Sequence, residues 1–165
     1  MKPVFGIEAL TREHVRAGFD CGDAGLNQFL FKFARQNSEK GLGRTFVAVP
    51  SENKAIAGYY TISSGSISFE ILPAKLPRYP IPTAHLGRLA TDMKMRGQGL
   101  GEMLLIDALQ RTVSVSAELG IYAVELFALT EKAKSFYLKY GFVPLEDDAR
   151  HLYLPIETLK KSGLL

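Results

Sequence analysis

Three glycines at alternate positions, in the run Arg96-Gly97-Gln98-Gly99-Leu100-Gly101, form the stretch of sequence best suited to a chemical task. Glycine has no Cβ, so a turn built from it can bend tightly and bring consecutive backbone N–H groups close to an anion. The apolar residues that follow predict a helix, whose first turn adds unpaired N–H donors and partial positive charge. The run therefore predicts a cradle for a pyrophosphate, although a tight strand-to-helix turn without a ligand would use the same glycines.

The spacing of this loop distinguishes it from two other phosphate-binding motifs. A P-loop is excluded because no Gly-Lys-Ser or Gly-Lys-Thr follows the glycines. A dinucleotide-binding fingerprint is disfavoured because the strand before the loop comes late in the chain and no second βαβ half follows it. The spacing that remains is Arg-x-x-Gly-x-Gly, between a predicted strand and a predicted buried helix.

Helical periodicity predicts the helices that must position the loop. Within residues 24–39, apolar side chains recur at i, i+3, i+4, i+7 and i+8, namely at Leu26, Phe29, Leu30, Phe33 and Ala34. Asp23 is placed to cap this helix. Residues 98–119 predict a long helix whose first half is apolar on nearly every side, which indicates that it is buried. A last helix follows Thr130 and ends before Gly141.

Runs rich in β-branched and aromatic residues predict the strands. They lie at 5–10, 44–49, 55–66, 84–92, 121–129, near 142–145 and at 151–154, and the second and third form an antiparallel hairpin. Prolines at 73, 77, 80 and 82 predict an extended loop with neither helix nor central strand. The order of elements predicts an α+β fold with a mixed, mostly antiparallel sheet flanked by helices, in one domain spanning residues 1–165.

Composition places the chain among ordinary globular domains. Its 165 residues are 47% hydrophobic and 22% charged, enough for one domain with a core. No secretory pattern opens the chain and no apolar run approaches the length of a membrane span, so we expect no membrane association and a cytoplasmic location. The single cysteine, Cys21, and three widely separated histidines give no metal-ligand spacing, so we expect no metal.

The distribution of charge points to the middle of the chain as the place for a polyanion. The formal net charge is only +3. Against a single acid, Asp92, residues 75–96 carry Lys75, Arg78, Arg88, Lys94 and Arg96. Such a run is more often a solvated face than a binding surface, yet a polyanionic ligand would be attracted there.

Seven ordered segments, which cover nearly the whole chain, resemble the GNAT-fold toxins of type II toxin–antitoxin modules. They are FDCGDAGLNQFL at 19–30, RTFVAV at 44–49, GYYTISSGSI at 58–67, LPRYPIP at 76–82, LGRLATD at 86–92, GQGLGEMLLIDAL at 97–109 and AKSFYLKYGF at 133–142. The Arg-x-x-Gly-x-Gly spacing resembles the acyl-coenzyme A pyrophosphate loop of the GNAT superfamily. The resemblance implies a single-domain GNAT fold in which two central strands splay apart.

The same resemblance implies an activity and partners. These toxins transfer acetyl from acetyl-CoA to the α-amino group of aminoacyl-tRNA and so block translation. They usually form homodimers that a ribbon-helix-helix antitoxin neutralises, and they meet operator DNA, as corepressors, only through that antitoxin.

The resemblance also implies the residues of the site. The backbone of Leu89, Ala90 and Thr91 would lie beside the acetyl and pantetheine portions of acetyl-CoA, and residues 96–101 around its pyrophosphate. The implied cofactor-binding residues are Leu89, Ala90, Thr91, Arg96, Gly97, Gln98, Gly99, Leu100, Gly101 and Phe136. Arg78 and Arg88 would contact tRNA phosphates, which predicts strongly salt-dependent binding.

By resemblance, Tyr137 is the catalytic residue and gives its proton to the coenzyme A thiolate. The chemistry fits, because a phenol with a pKa of about 10 is protonated at neutral pH and a thiolate with a pKa of about 8.5 benefits from a positioned donor. Periodicity alone favours a core aromatic, since Tyr137 shares a stripe with Ala133, Phe136 and Tyr140.

No residue is an obvious general base. An α-amine, with a pKa of about 7.7 to 8.0, is partly neutral at pH 7 whereas lysine is not, which mildly favours an α-amino acceptor. Glu125 is a candidate base, but pairing with a neighbouring charge is the interpretation that we favour. His85 is interpreted as a strand-entry or surface residue. Two alternatives stay open: a GNAT acetyltransferase of a protein N-terminus or small amine, and a largely non-catalytic corepressor acting with an antitoxin.

Overall fold

Seven strands pair in the order β1-β2-β3-β4-β5-β7-β6 in the computed structural model, which describes residues 4–165. They are Phe5–Ala9 (β1), Arg44–Pro50 (β2), Gly58–Ile67 (β3), Ile81–Thr91 (β4), Ala123–Phe127 (β5), Val143–Pro144 (β6) and His151–Pro155 (β7). Strands β4 and β5 run parallel, whereas β1 with β2, β2 with β3, β5 with β7 and β6 with β7 are antiparallel. The predicted α+β class with a mixed, mostly antiparallel sheet is confirmed.

The α-helices of residues 4–165 are Ala24–Gln28 (α1), Ala34–Glu39 (α2), Leu100–Ser116 (α3), Glu131–Leu138 (α4) and Ile156–Lys161 (α5). Asp23 and Thr130 cap α1 and α4 through their side chains, as predicted. Helix α3 is shorter than the predicted 98–119, and α5 was not predicted. None of the helices described is long and apolar enough to cross a bilayer.

A π-helical turn, Phe29–Phe33, joins α1 to α2, so the predicted helix over 24–39 is continuous but not regular. The N–H of Ala34 bonds to the carbonyl of Phe29, five residues back instead of four. Phe29, Leu30 and Ala34 are buried, whereas Phe33 is 46% exposed. The prediction that Phe33 lies on the buried stripe is therefore wrong, because that stripe assumes 3.6 residues per turn throughout.

The chain divides into two compact units, each with its own core. The first comprises the described residues up to Ser63 together with Arg88–Ala108, and its core cluster is Phe19, Phe29, Leu30, Ala34, Val47, Val49, Ile56, Tyr59 and Ala90. The second comprises Ser64–Gly87 and Leu109–Leu165, and its core cluster is Ile67, Leu72, Ile81, Ala123, Leu145 and Tyr153.

Strand β4 begins earlier than the prolines predict. It starts at Ile81 and includes Pro82, which was expected in the loop. Proline lacks an N–H but keeps its carbonyl, and the carbonyl of Pro82 accepts the N–H of Tyr122 at 2.9 Å. At its other end the ladder with β5 stops at the pair His85 and Glu125, although both strands continue.

Candidate active site

The glycine loop predicted to hold a pyrophosphate lies directly before α3 in the first unit. Gly97 and Gly99 have φ angles of 80° and 75°, in the left-handed region where a side chain causes strain. A Cβ added to either would meet no atom within 4 Å. Backbone conformation, rather than lack of space, therefore requires glycine here, and left-handed residues of this kind occur in anion-binding concavities.

The loop offers both donors and an acceptor to a ligand. A hydrogen bond from the N–H of Met103 to the carbonyl of Gly99, at 3.1 Å, opens α3. The N–H groups before Met103 in the first turn have no carbonyl within the helix to bond to. Oε1 of Gln98 is buried and has no hydrogen-bond partner among residues 4–165. The backbone N–H donors can bind phosphate oxygens, and the side-chain carbonyl of Gln98 can accept an amide N–H. Acetyl-CoA carries both a pyrophosphate and amide N–H groups, so these residues fit it.

The segment before the loop is held by a buried carboxylate, Asp92. It accepts the N–H of Lys94 at 2.8 Å and the N–H of Asp20 at 3.2 Å. Its own N–H donates to the carbonyl of Ala57 at 2.8 Å, and the N–H of Met93 donates to the carbonyl of Asp20 at 2.9 Å. Sequence reasoning noted Asp92 only as the one acid of the basic segment and missed this anchoring role.

Close packing at Gly58 brings the predicted strand segment 89–91 next to the start of α3. A Cβ on Gly58 would lie 3.0 Å from the carbonyl oxygen of Ala90 and 3.4 Å from Cδ2 of Leu100. Ala90 and Leu100 are buried, and Leu89 and Thr91 are half-buried. The structure thus brings together the two predicted backbone segments of the acetyl-CoA site that belong to this unit.

The three predicted basic contacts have different surroundings. Arg96 is exposed and its Nη2 donates to the carbonyl of Cys21 at 3.5 Å. The guanidinium of Arg88 lies 3.6 Å from the centroid of the Phe29 ring, a cation–π contact. Arg78 is exposed in the loop before β4 and makes no ion pair or hydrogen bond with the part of the chain described.

Tyr137, the predicted acid, is a buried residue of α4 in the second unit. Its ring meets Phe136 edge-on at 5.2 Å and Phe142 at 5.6 Å between centroids. Its hydroxyl makes no hydrogen bond with any residue in the range 4–165. Burial raises the pKa of this hydroxyl above its ordinary value, so it is protonated at neutral pH. A phenol whose proton is not committed to the protein can serve as an acid.

Four ionisable side chains form a hydrogen-bonded chain across β4, β5 and β7 in the second unit. Nδ1 of His85 bonds to Glu125, and the other oxygen of Glu125 lies 2.5 Å from Nε2 of His151. Nδ1 of His151 lies 2.8 Å from Asp147. Glu125 and His151 are buried, and the ring of Phe127 stacks on His151 at 3.9 Å. Glu125 therefore pairs with neighbouring ionisable groups, as expected.

The two histidines set the charge of Glu125. Burial by itself would raise the pKa of this carboxyl, but hydrogen bonds and charge interactions with His85 and His151 outweigh burial and lower it. Glu125 is thus ionised at neutral pH. His85, interpreted from sequence as a strand-entry or surface residue, lies inside β4 with 35% of its side chain exposed.

Sequence reasoning did not find His151 and Asp147. A signal was present, because Glu125 is the one charged residue of an apolar predicted strand and a buried charge needs a partner. The identity of that partner depends on the pairing of β5 with β7, in which Phe127 faces His151 and Glu125 faces Tyr153. No local pattern specifies that register.

Fold and loop together define an acetyltransferase of the GNAT type, and the acetyltransferase (GNAT) domain family matches residues 19–156. The chain belongs to this family. Probable toxin TacT of Sinorhizobium fredii is 33% identical over 167 residues, which cover 93% of this chain and 92% of that protein. The tRNA-acetylating toxin of Mycobacterium tuberculosis is 34% identical over 139 residues, 82% of each chain.

Solved structures give the same assignment. KacT with a tyrosine-to-phenylalanine substitution has a TM-score of 0.91 and 32% identity, covering 96% of this chain and 98% of that one. AtaT complexed with acetyl-methionyl-tRNAfMet has a TM-score of 0.89 and 31% identity, covering 95% and 98%. A tyrosine-to-phenylalanine AtaT bound to the C-terminus of the antitoxin AtaR and acetyl-CoA has a TM-score of 0.84 and 28% identity, covering 98% and 99%. A KacTA–DNA complex has a TM-score of 0.83 and 30% identity, covering 96% and 98%.

Proposed function

We propose that this protein is an N-acetyltransferase toxin that moves the acetyl group of acetyl-CoA to the α-amino group of aminoacyl-tRNA and so blocks translation. The observation that carries the proposal is the similarity, over 95% of the chain, to AtaT complexed with acetyl-methionyl-tRNAfMet. Residues 1–165 act as one GNAT domain, and they act in the cytoplasm, where charged tRNA is used.

Backbone groups bind the acetyl-CoA substrate. The N–H groups of residues 97–101 hold the pyrophosphate at the start of α3, and Arg96 adds positive charge. The backbone of residues 89–91 lines the pantetheine arm in the manner of an added strand, and Phe136 contacts the substrate beside Tyr137. A backbone N–H near Ala90 polarises the thioester carbonyl and stabilises the oxyanion that forms on it. The left-handed φ angles of Gly97 and Gly99 support this assignment.

Tyr137 completes the transfer as general acid. The neutral amine attacks the thioester carbon, and the tetrahedral intermediate collapses with cleavage of the C–S bond. The departing thiolate takes the proton of the Tyr137 hydroxyl, which keeps it from attacking the new amide. The uncommitted hydroxyl supports this role, because no group in the described range competes with the thiolate for its proton.

Arg78 and Arg88 contact tRNA phosphates. Arg78 is exposed before β4, and Arg88 is held on the face of Phe29, which fixes the place of its charge. Contacts of this kind supply affinity and salt dependence but no choice among tRNA sequences. Selection among aminoacyl groups must therefore come from the part of the site that binds the acceptor amine.

The partners follow from the family. The protein forms a homodimer and is neutralised by a ribbon-helix-helix antitoxin. It binds operator DNA only through that antitoxin. Support comes from AtaT bound to the C-terminus of its antitoxin and from KacTA on DNA.

The proposal is tested by transfer of labelled acetyl from acetyl-CoA to a pool of charged tRNAs. Uncharged tRNA, free amino acids, small amines and peptides with free N-termini are assayed in parallel. We expect label on charged tRNA, at the aminoacyl group, and none on uncharged tRNA. Label on peptides or small amines alone would refute the tRNA substrate, and absence of label on every acceptor would leave the corepressor alternative.

A further inference from the structure

Three polar side chains converge on Gly65 of β3 in the second unit. A Cβ added to Gly65 would lie 3.0 Å from Oγ1 of Thr83, 3.3 Å from Cβ of His85 and 3.7 Å from Oε1 of Glu125. Thr83 and His85 are two residues apart on β4, so their side chains leave the same face of the sheet. Gly65, Thr83 and His85 therefore form a small polar recess, the Gly65 notch, which a side chain at position 65 would fill.

Two polar atoms, Oγ1 of Thr83 in the notch and Nε2 of His85, whose Cβ lines the notch, have no hydrogen-bond partner in the described range. Oγ1 of Thr83 is buried without a hydrogen bond to any residue in the described range, and Thr83 is 3% exposed. Nε2 of His85 makes no hydrogen bond within that range either, while 35% of the side chain is exposed. Because buried polar atoms in folded proteins are almost always paired, an orphan hydroxyl beside an open imidazole indicates a place for a polar ligand.

The hydrogen bonds around Glu125 assign donor and acceptor roles to its two histidine partners. An ionised carboxylate only accepts, so Nδ1 of His85 and Nε2 of His151 both donate to Glu125. Nδ1 of His151 is engaged by Asp147 at 2.8 Å. Nε2 of His85 is therefore the one ring nitrogen of this group without a partner in the described range, and in a neutral imidazole that nitrogen accepts a proton.

The third histidine of the described chain, His14, has no ring nitrogen left open. Nε2 of His14 lies 2.7 Å from Glu8, and its Nδ1 accepts the N–H of Thr11 at 2.9 Å. Both ring nitrogens of His14 are therefore engaged, and the residue is buried. An imidazole that is oriented by a carboxylate can act as a base only if its second ring nitrogen has no partner. His85 meets this condition.

We propose that His85 is the general base that removes a proton from the α-ammonium group of the acceptor at the Gly65 notch, with Glu125, His151 and Asp147 as positioning residues. This inference rests on the proposed function. The ionisable groups that face His85 are Glu125 on β5 and, behind it, His151 on β7 and Asp147 before β7. On β3, Gly65 lies beside His85 and carries no side chain.

The proton balance of the reaction follows. The ammonium N–H bond breaks, its proton moves to Nε2 of His85 and the freed lone pair attacks the thioester carbon. When the C–S bond breaks, the thiolate takes the proton of the Tyr137 hydroxyl. The attacking nitrogen then gives up its second proton, which restores the Tyr137 hydroxyl. His85 then loses its proton to solvent through its exposed edge, so the net products are the amide, free coenzyme A and one proton.

The test is the pH dependence of kcat/KM for acetylation of charged tRNA at saturating acetyl-CoA, from about pH 5.5 to about pH 9. The variants are His85→Ala and Glu125→Gln, with Gly65→Ala as a steric probe of the notch and His14→Gln as the matched control. Thermal unfolding of each variant checks that it is folded. Imidazole is added to His85→Ala to replace the missing base.

We expect His85→Ala to lose about 100-fold in kcat/KM at pH 7 and to approach the wild-type rate above the pKa of the amine, of about 7.7 to 8.0. Added imidazole restores activity, and His14→Gln keeps the wild-type profile. A folded His85→Ala with the wild-type rate and profile would overturn the inference while leaving the proposed function intact. A wild-type protein that acetylates no charged tRNA would overturn both.

Discussion

Asp92 accepts a hydrogen bond from the N–H of Asp20 at 3.2 Å, across 72 residues of sequence. In return the N–H of Met93 donates to the carbonyl of Asp20 at 2.9 Å. Asp20 is itself held, because its side chain accepts from Asn27 at 3.0 Å. The segment 19–30 therefore supports the chain that leads into the glycine loop, although it contributes no residue to the predicted acetyl-CoA contacts.

Replacement of Asp92 by alanine removes the acceptor for two backbone N–H groups, those of Asp20 and Lys94. We expect the free energy of unfolding to fall by about 1–3 kcal/mol and the Kd for acetyl-CoA to rise. Urea unfolding and isothermal titration calorimetry measure the two effects. Glu52→Ala, which changes an exposed acid in a turn, is the control. Unchanged acetyl-CoA affinity in Asp92→Ala would show that the loop does not depend on this anchor.

Gly97→Ala and Gly99→Ala test whether the left-handed backbone of the loop serves binding. Each substitution strains the loop by about 1–3 kcal/mol without a clash, so we expect acetyl-CoA affinity to fall by about 10-fold. Gly41 is the matched control, because its φ of 74° is also left-handed and its Cβ position is also open. Gly41→Ala is expected to lower the thermal midpoint while acetyl-CoA affinity stays unchanged. Equal losses of affinity in all three variants would refute a specific role of the loop.

Tyr137→Phe removes a hydroxyl that bonds to no residue of the described chain. We therefore expect the free energy of unfolding to change by less than about 0.5 kcal/mol, whereas kcat falls by about 100- to 10,000-fold because the thiolate leaves without its acid. Steady-state kinetics with charged tRNA measure kcat, and Tyr140→Phe, at the next tyrosine along the chain, is the control. A Tyr137→Phe protein with wild-type kcat would exclude the tyrosine as the acid.

Glu125→Gln tests the pKa that the two histidines lower. A carboxyl with a lowered pKa in the folded state stabilises the protein above its unfolded pKa of about 4.3, and this contribution is lost as the pH falls through the folded value. The difference in unfolding free energy between wild type and Glu125→Gln should therefore be larger at neutral pH than in acid. Urea unfolding measured between about pH 7 and about pH 2 covers the range in which this contribution is lost. A difference that grows towards acid would contradict the assignment.

Arg78→Ala tests the tRNA surface. Loss of one phosphate contact reduces the slope of log K against log salt by about 0.7 to 0.9, and we expect this change in a filter-binding titration with charged tRNA. Lys132, an exposed lysine of α4, supplies the control substitution to alanine. An Arg78→Ala protein with the wild-type salt slope would remove Arg78 from the tRNA contacts.

Local patterns were sufficient for much of the fold and for the glycine loop. Capping at Asp23 and Thr130, the hairpin of β2 and β3 and the turn before α3 each depend on residues close in sequence, where propensity acts directly. The prolines predict too late a start for β4, because proline disfavours a central strand, whereas Pro82 keeps the carbonyl that accepts the N–H of Tyr122.

The polar interactions of the site depend instead on long-range pairing. The partners of Glu125 come from β4 and β7, and they are fixed by registers that a sequence pattern does not contain. Asp92 likewise depends on a contact with Asp20 that lies far away in the chain. These residues could be recognised as polar groups in apolar surroundings, but their partners could be identified only in the folded structure.

The π turn at Phe29–Phe33 holds one residue more than a regular helix needs at this point, beside Arg88. Five residues occupy a turn that an α-helix closes with four, so deletion of one of them would allow a regular helix. Because one turn is then replaced by one turn, Ala34 and the residues after it would keep their present faces, whereas a deletion within a regular helix rotates everything beyond it by about 100°. The π turn is therefore the place in this segment where one residue can be lost without exchange of the buried and exposed faces of α2.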